Sequence, residues 1–245
     1  HRMQLLLLLY YMKLYEFLIE ERPSGVHEWE VTMKVEKKSM TLYAVTDRHW
    51  LQGRKLADQV EDICKAGITF LQLREKEFTH EEMVAEAKEI KKIAEKYQVP
   101  FVINDDIYAA KEIDADGVHI GQSDMAYEQA RAILGEEKII GVSAGNLEEA
   151  LAAQEAGADY IGVGAVFHTD TKSDTRAVTH EQLKEICDHM TIPVVAIGGI
   201  GEDNALQLKG TGIDGIAVIS AIFANDDPRA AASRLKKLAE EITNE

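Results

Sequence analysis

The segment Ala156-Gly157-Ala158-Asp159-Tyr160-Ile161-Gly162-Val163 carries the pattern that decides the fold. In this pattern a glycine ends a predicted helix, a short connection with a polar residue follows, and a buried strand then begins. Near repeats of the pattern occur at Asp116-Gly117 and at Thr211-Gly212-Ile213-Asp214. Strands that follow helices in this regular way are typical of α/β proteins, so the repeats predict alternating strands and helices along the chain.

Eight short apolar runs fit this pattern, and amphipathic segments with apolar residues at helical spacing separate them. The predicted strands are Leu42–Thr46, Phe70–Arg74, Phe101–Asn104, Gly117–Ile120, Ile139–Ser143, Tyr160–Val163, Val194–Ile197 and Gly215–Ile219. Eight strand–helix units in about 200 residues predict a single-domain (β/α)8 TIM barrel of the α/β class. A doubly wound sheet is the alternative, but such a sheet rarely needs eight units of this regularity.

Composition and charge narrow the classes of function. The chain has 245 residues and a net charge of −16, which predicts neither nucleic acid nor an anionic membrane as a partner. Cys64 and Cys187 lie on predicted helices without metal-ligand spacing, which favours free thiols in a reducing cytoplasm over a disulfide. We therefore expect a cytoplasmic globular protein.

The first 39 residues do not show the repeating pattern. Their apolar run is broken by Lys13 and Glu16, so it is too short and too charged to span a bilayer comfortably. A signal peptide is not favoured either, because no clear small-residue cleavage site follows. Met40 directly precedes the first predicted strand. We expect residues 1–39 to be an extension of unknown status and residues 40–245 to be the barrel domain.

In a TIM barrel the functional residues lie at the carboxyl ends of the strands. Gln72, Arg74 and Lys76 alternate at the end of the second strand, and a period of two predicts that they share a face. Two cations on one face of the barrel mouth favour a bound anion. The alternative is a surface ion pair between Arg74 and Glu75 or Glu77.

Oxygen ligands follow the next two strands. Asn104 and Asp105 end the third strand and Asp124 follows the fourth, and such ligands suit Mg²⁺ that also contacts a phosphate. The alternative is that the aspartates cap the helices that follow. With Arg74 and Lys76 on the neighbouring strand, a metal–diphosphate site is the favoured prediction.

The loop after the sixth strand, Gly162 to Arg176, is about twice the usual length of a strand-to-helix connection. It is rich in hydroxyls and contains two cations, so it either binds an anion or is a solvated surface loop. Gly198-Gly199 and Ile219-Ser220 follow the last two strands, where TIM barrels commonly bind phosphate. His119 and Tyr160 lie inside predicted strands, and we interpret them as core residues.

Taken together, these pieces resemble the thiamine-phosphate synthase family. The matching motifs occur in the family's order and near its spacings, from Thr41 to the end of the chain. They are Gln72-Leu-Arg-Glu-Lys76, Ile103-Asn-Asp-Asp106, Gly117-Val-His-Ile-Gly-Gln-Ser-Asp124, Gly141-Val-Ser-Ala144, Thr169-Asp-Thr-Lys172, Ile197-Gly-Gly-Ile200 and Val218-Ile-Ser220. One departure is His168, which stands where the family usually has proline.

The resemblance implies an enzyme that joins 4-amino-2-methyl-5-hydroxymethylpyrimidine diphosphate to 4-methyl-5-(2-phosphoethyl)thiazole, with Mg²⁺, releasing diphosphate and thiamine phosphate. The implied pyrimidine diphosphate ligands are Gln72, Arg74, Lys76, Asn104, Ser143 and Lys172, of which Arg74, Lys76, Ser143 and Lys172 would be catalytic. The implied thiazole phosphate ligands are Thr169, Asp170, Thr171, Gly199, Ile219 and Ser220. The implied Mg²⁺ ligands are Asp105 and Asp124.

Two other functions are compatible with a phosphate-binding barrel. A thiazole tautomerase on the same fold uses a histidine just after the fifth strand, where this chain has Gly145. A non-catalytic barrel would bind phosphorylated ligands without turnover, and it would not need a full set of groups that stabilise a leaving diphosphate. All three functions imply small phosphorylated molecules as partners. A homo-oligomer is compatible with each of them.

Overall fold

The computed structural model describes residues 34–51, 53–122, 127–169 and 177–244. The strands are β1 (Leu42–Val45), β2 (Phe70–Leu73), β3 (Phe101–Asn104), β4 (Gly117–Ile120), β5 (Ile139–Ala144), β6 (Tyr160–Val163), β7 (Val194–Ile197) and β8 (Gly215–Val218). The α-helices are α1 (Leu56–Lys65), α2 (His80–Lys96), α3 (Ile107–Glu112), α4 (Tyr127–Leu134), α5 (Leu147–Ala156), α6 (His180–His189), α7 (Ser220–Phe223) and α8 (Pro228–Thr243). Short 3₁₀ turns span Lys37–Met40, Arg48–Trp50 and Ala205–Leu208.

The strands form a closed parallel barrel in sequence order, with β8 paired to β1. The predicted TIM barrel is therefore confirmed, and the doubly wound alternative, which would leave open sheet edges, is wrong. Strand ends differ from the prediction by one residue at four places. Thr46 and Arg74 lie just past β1 and β2. The backbone amide of Arg74 donates to the Thr46 side chain at 2.9 Å and not to a backbone carbonyl, so the strand pairing ends before these residues. Ala144 extends β5, and Ile219 lies past β8, where the chain turns into α7.

The near repeats in the sequence have a shared structural role at the amino-terminal face of the barrel. The residue just before each even-numbered strand accepts a hydrogen bond from the first or second backbone N–H of the preceding strand. The accepting side chains are Thr69, Asp116, Asp159 and Asp214, which serve β1, β3, β5 and β7 at 2.7–2.9 Å. Because the active sites of TIM barrels lie at the opposite, carboxyl-terminal face, we assign these contacts to the stability of the fold.

The glycines of the repeats do not all end helices as expected. Gly157 does, with a left-handed φ of 99° after α5. Gly117 is instead the first residue of β4, where a Cβ atom would lie 1.9 Å from the backbone oxygen of Ile139. Gly117 therefore lets two strands approach closely. α6 begins after Thr179, which forms a capping box with Gln182.

Apolar side chains fill two separate spaces. One cluster packs between the sheet and the surrounding helices, and the other fills the inside of the barrel. The inner cluster contains Tyr43, Phe70 and Tyr160, whose rings contact one another edge to face. Val35 and Met40 complete this cluster, and both are almost fully buried. Residues before β1 therefore contribute to the core of the barrel.

Candidate active site

A cavity of about 560 Å³ opens at the carboxyl ends of the strands. Its size is ordinary for a small-molecule site. Among the residues predicted for the site, those that line the cavity are Gln72, Arg74, Asn104, Ser143, Thr169, Gly199, Ile219 and Ser220. The structure thus brings together residues at the carboxyl ends of six strands or in the segments that follow them, as expected for a TIM-barrel active site.

Other predicted site residues lie elsewhere. Lys76 is exposed in a bend beyond β2 and does not line the cavity. Because β2 ends at Leu73, the two-residue alternation that predicted a shared face does not extend to Lys76. Asp105 is exposed at the end of β3. Four predicted residues lie outside the described residues, namely Asp124, Asp170, Thr171 and Lys172.

Arg74 places a cation at the cavity wall. Its side chain is only 12% exposed, and Nη1 lies 3.6 Å from Oδ2 of Asp47, which is too long for a hydrogen bond. The alternative predicted from sequence was a pair with Glu75 or Glu77, but Glu75 lies 3.4 Å from Nε of Arg48 instead. Burial raises the pKa of Glu75 despite this neighbour. The Arg74 guanidinium therefore retains donors for a ligand in the cavity.

Two consecutive aspartates after β3 have different roles. Asp106 caps α3, because its carboxylate accepts a hydrogen bond from the Ala109 amide at 2.8 Å. Asp105 has a left-handed φ of 62°, a conformation that aspartate tolerates better than most residues. Its carboxylate accepts a hydrogen bond from the Asn104 amide. The capping alternative thus applies to Asp106, and Asp105 presents its oxygens at the rim.

The donor groups at the rim are compatible with a Mg²⁺ site that has few protein ligands. No group of three or more histidine, cysteine, aspartate or glutamate side chains that could hold a metal occurs within the described residues. Mg²⁺ usually keeps several waters and binds one or two carboxylates together with substrate phosphates. Asp105, next to the side-chain amide of Asn104 and on the same rim as Arg74, would supply one such carboxylate. The donor chemistry is therefore compatible with a metal–phosphate site.

The first part of the long loop packs against the glycine turn after β7. Backbone amides of Val166 and Phe167 donate to the carbonyls of Ile197 and Gly198 at 3.0 Å. At Gly199, a Cβ atom would lie 2.2 Å from the carbonyl oxygen of His168, so the contact requires glycine. This packing brings Thr169 to the cavity beside the Gly198-Gly199 turn. Hydroxyl and backbone donors are thus gathered where TIM barrels commonly hold phosphate.

A chain of buried polar side chains links the inside of the barrel to the cavity. We call Gln72, Tyr43, Tyr160, His119 and Ser143 the barrel relay. The Gln72 amide nitrogen donates to the Tyr43 hydroxyl at 2.6 Å, and the two tyrosine hydroxyls lie 2.7 Å apart. The Nδ1 and Nε2 atoms of His119 lie 3.0 Å from the Tyr160 hydroxyl and 2.9 Å from Ser143 Oγ.

The sequence pattern indicates that His119 and Tyr160 are core residues. Both are buried, but His119 also lines the cavity and contacts Ser143, so the core interpretation is incomplete. Burial raises the pKa of the Tyr43 and Tyr160 phenols, which keeps both hydroxyls protonated. The available signal was the inward-facing position of these residues, because polar side chains that point into a closed barrel from different strands can meet inside it.

Comparison with known proteins identifies the relatives of this chain. A family model described as thiamine monophosphate synthase, TMP-TENI, matches residues 42–222. This chain belongs to the thiamine monophosphate synthase family. Membership confirms the predicted family, and at that level it confirms the prediction of a thiamine-phosphate synthase, a transferase of thiamine biosynthesis.

Individual relatives cover most of the chain. It is 51% identical over 198 residues to a thiamine-phosphate synthase from Clostridium novyi, covering 80% of this chain and 97% of that protein. A thiamine-phosphate synthase from Clostridium tetani is 49% identical, with 83% and 94% covered. Among solved structures, thiamine phosphate pyrophosphorylase from Pyrococcus furiosus is 40% identical with a TM-score of 0.79, covering 84% of this chain and 98% of its own.

In the part of the chain that the structure describes, no helix has both the length and the apolar character that crossing a bilayer requires.

Proposed function

We propose that this protein joins 4-amino-2-methyl-5-hydroxymethylpyrimidine diphosphate to 4-methyl-5-(2-phosphoethyl)thiazole, forming thiamine phosphate and diphosphate. One observation carries the proposal. A single cavity is lined by Arg74, Asn104 and Ser143 at the ends of β2, β3 and β5, and by Thr169 and the Gly198-Gly199 turn in the loops after β6 and β7. Two groups of anion donors in one cavity suit two phosphorylated substrates that must meet. Membership in the thiamine monophosphate synthase family supports the same reaction.

The proposed reaction needs charge stabilisation and positioning. The bond between the pyrimidine methylene carbon and the diphosphate oxygen breaks, and its electron pair leaves with diphosphate. The ring's 4-amino group stabilises the resulting pyrimidinylmethyl cation. The thiazole nitrogen then attacks the methylene carbon and forms the new bond. Preorganised donors that face the developing negative charge are well suited to this chemistry, and placement of the nucleophile supplies the rest.

Each side chain has a role in this proposal. Arg74 and Ser143 would donate to the departing diphosphate, with Gln72 and Asn104 fixing the pyrimidine diphosphate beside them. Thr169, Gly199, Ile219 and Ser220 would hold the thiazole phosphate. The roles of Lys76, Asp170, Thr171 and Lys172 rest on the resemblance and stay proposals.

A metal is part of the proposal. The family is consistent with metal-assisted chemistry, and we propose Mg²⁺, held by Asp105 and Asp124. When bound, Mg²⁺ would neutralise charge on the diphosphate. We also propose a cytoplasmic location, because Cys64 and Cys187 are both free thiols. The exclusion of nucleic acid stays a prediction from the charge of −16.

The tautomerase alternative has less support from the site. At the position where that enzyme carries a histidine, Gly145 donates its backbone N–H to Glu149 at 2.6 Å. The binding-only alternative would also use Arg74 to hold an anion, so the high identity to relatives that are thiamine-phosphate synthases counts against it instead. We therefore favour the synthase.

Three assays on the purified full chain separate the three functions. In the first, the chain is incubated with Mg²⁺ and both substrates, parallel samples omit one substrate each, and products are analysed by mass spectrometry. The synthase predicts thiamine phosphate only in the complete sample. In the second, the chain is incubated with a thiazole carboxylate phosphate, and isomerisation detected by proton NMR without thiamine phosphate in the first assay would instead identify a tautomerase. In the third, calorimetry measures binding of each phosphorylated substrate, and binding without a product in either reaction would identify a non-catalytic barrel.

A further inference from the structure

The barrel relay has a direction, because its two ends differ chemically. Gln72 contributes its amide nitrogen, which can only donate, so the Tyr43 oxygen accepts. The single hydroxyl hydrogen of Tyr43 is then directed to Tyr160, 2.7 Å away. A buried hydroxyl hydrogen without an acceptor costs about 1–3 kcal/mol, so this direction is favoured over one that strands the Tyr43 hydrogen.

The direction continues to the cavity. Tyr160 accepts from Tyr43 and therefore uses its own hydrogen to donate to Nδ1 of His119, 3.0 Å away. A neutral imidazole that accepts at Nδ1 carries its hydrogen on Nε2. That Nε2–H then donates to Ser143 Oγ at 2.9 Å, so the Ser143 oxygen is occupied as an acceptor. The hydroxyl hydrogen of Ser143 is left to donate to a ligand.

We propose that His119 is a positioning residue, which as the Nε2–H tautomer turns the Ser143 hydroxyl into a hydrogen-bond donor for the departing diphosphate. The inference rests on the proposed function. No proton is transferred between residues, because the relay only fixes which group donates in each hydrogen bond. Negative charge grows on the diphosphate oxygen as the carbon–oxygen bond breaks, so a fixed donor contributes more in the transition state than in the bound substrate.

Two substitutions of one residue separate donation from packing. His119→Gln keeps a side-chain N–H that can reach Ser143, whereas His119→Leu fills the space without a donor. We expect His119→Leu to lower kcat by about 10- to 100-fold and to change KM less. This loss does not exceed the usual effect of deleting a charge-stabilising donor, because Ser143 itself is kept. We expect His119→Gln to stay within about 3-fold of the native kcat. Equal losses in both variants, or a native kcat in His119→Leu, would overturn the proposal.

A tyrosine pair tests the upstream part of the relay. Tyr160→Phe removes the donor to Nδ1, so we expect a kcat loss of about 3- to 10-fold. Tyr97→Phe is the matched control, because the Tyr97 hydroxyl bonds Glu61 at 3.0 Å outside the cavity, and its kcat should not change. Equal kcat values for Tyr160→Phe and the native protein would contradict the relay. Thermal unfolding of each variant reports any loss of fold.

Two measurements on the relay do not need turnover. A long-range proton–nitrogen NMR spectrum of protein labelled at its 8 histidines identifies the His119 signal by its absence in His119→Gln. We predict the Nε2–H tautomer, and an Nδ1–H tautomer would overturn the direction of the relay. Binding of inorganic diphosphate should be weaker in His119→Leu than in His119→Gln, and equal affinities would overturn the link to Ser143.

These results also separate the inference from the proposed function. If the native protein forms no thiamine phosphate, the proposed function fails. The tautomer and diphosphate affinities would still show whether His119 orients Ser143 toward an anion.

Discussion

Replacing Arg74 with alanine perturbs the proposed leaving-group site most directly. The guanidinium is 12% exposed and lines the cavity, so water screens its charge poorly. Deleting a donor that stabilises developing charge typically costs about 3–4 kcal/mol, or about 10²- to 10³-fold in kcat. Asp47 offsets part of this charge, so we expect a loss near 10²-fold for Arg74→Ala.

The pairing with Asp47 allows a sharper version of the experiment. At 3.6 Å and an effective dielectric of about 20, the attraction between the two charges is about 4–5 kcal/mol before desolvation is subtracted. If Arg74 served only to pair with Asp47, Asp47→Asn would be as damaging as Arg74→Ala. We instead expect Asp47→Asn to stay within about 3-fold of the native kcat, because asparagine keeps the oxygen that accepts from the His49 amide.

The assay is diphosphate release at saturating substrates and Mg²⁺, with thermal unfolding measured in parallel. Arg74→Lys, which keeps the charge but loses the two-pronged donor, should fall between the native protein and Arg74→Ala. Arg234→Ala is the control, because this exposed arginine pairs with Glu202 and does not line the cavity. Native kcat in Arg74→Ala, or an equal loss in Asp47→Asn, would refute the role of Arg74.

Three further predictions concern the core, the relay and the metal. A chain that starts at residue 34 should be more stable to urea than one that starts at residue 40 by about 1.5–3 kcal/mol, since only the former buries Val35, and equal stabilities would contradict this. Gly141→Ala should cost about 1–3 kcal/mol by overpacking, because its Cβ would lie 2.1 Å from the Tyr160 ring. Gly145→Ala, whose Cβ has room, is the control, and similar unfolding energies for the two would argue against the clash. Asp105→Asn should raise the Mg²⁺ concentration for half-maximal activity at least ~10-fold, whereas an unchanged requirement would remove Asp105 from the metal site.

The fold could be predicted from sequence because two patterns recur along the chain, the spacing of apolar residues and the polar residue that precedes a strand. Polar residues such as Asp116, Asp159 and Asp214 recur before strands, and the structure shows that each bonds the start of a neighbouring strand. Strand ends were less predictable. The strands are buried on both faces, so no change in composition marks the residue at which strand pairing ends.

The domain boundary at residue 40 stays a prediction. Composition marks Met40 as the residue before the first strand, but it cannot show that Val35 reaches the inner core. Residues 34–39 carry two lysines that pair with aspartates of the repeat, Lys34 with Asp159 and Lys37 with Asp214. We therefore propose that the barrel domain begins near residue 34.

The candidate site could be predicted where polar residues follow strands, and much less where they lie within strands. Arg74 and Asn104 stand out because they interrupt apolar runs at a barrel rim. His119 and Tyr160 do not, since a buried polar residue in a strand has the same appearance whether or not its partners reach a cavity. Their role depends on which side chains face inward and which of these meet inside the barrel, and only the closed barrel provides both.

Phosphorus NMR of the complete reaction tests the central claim most directly. With the native chain, both substrates and Mg²⁺, we predict one equivalent of diphosphate for each equivalent of thiamine phosphate formed, and neither product when the thiazole phosphate or Mg²⁺ is omitted. Inorganic phosphate in place of diphosphate, or no thiamine phosphate in the complete mixture, would contradict the proposal that this cavity joins the two substrates.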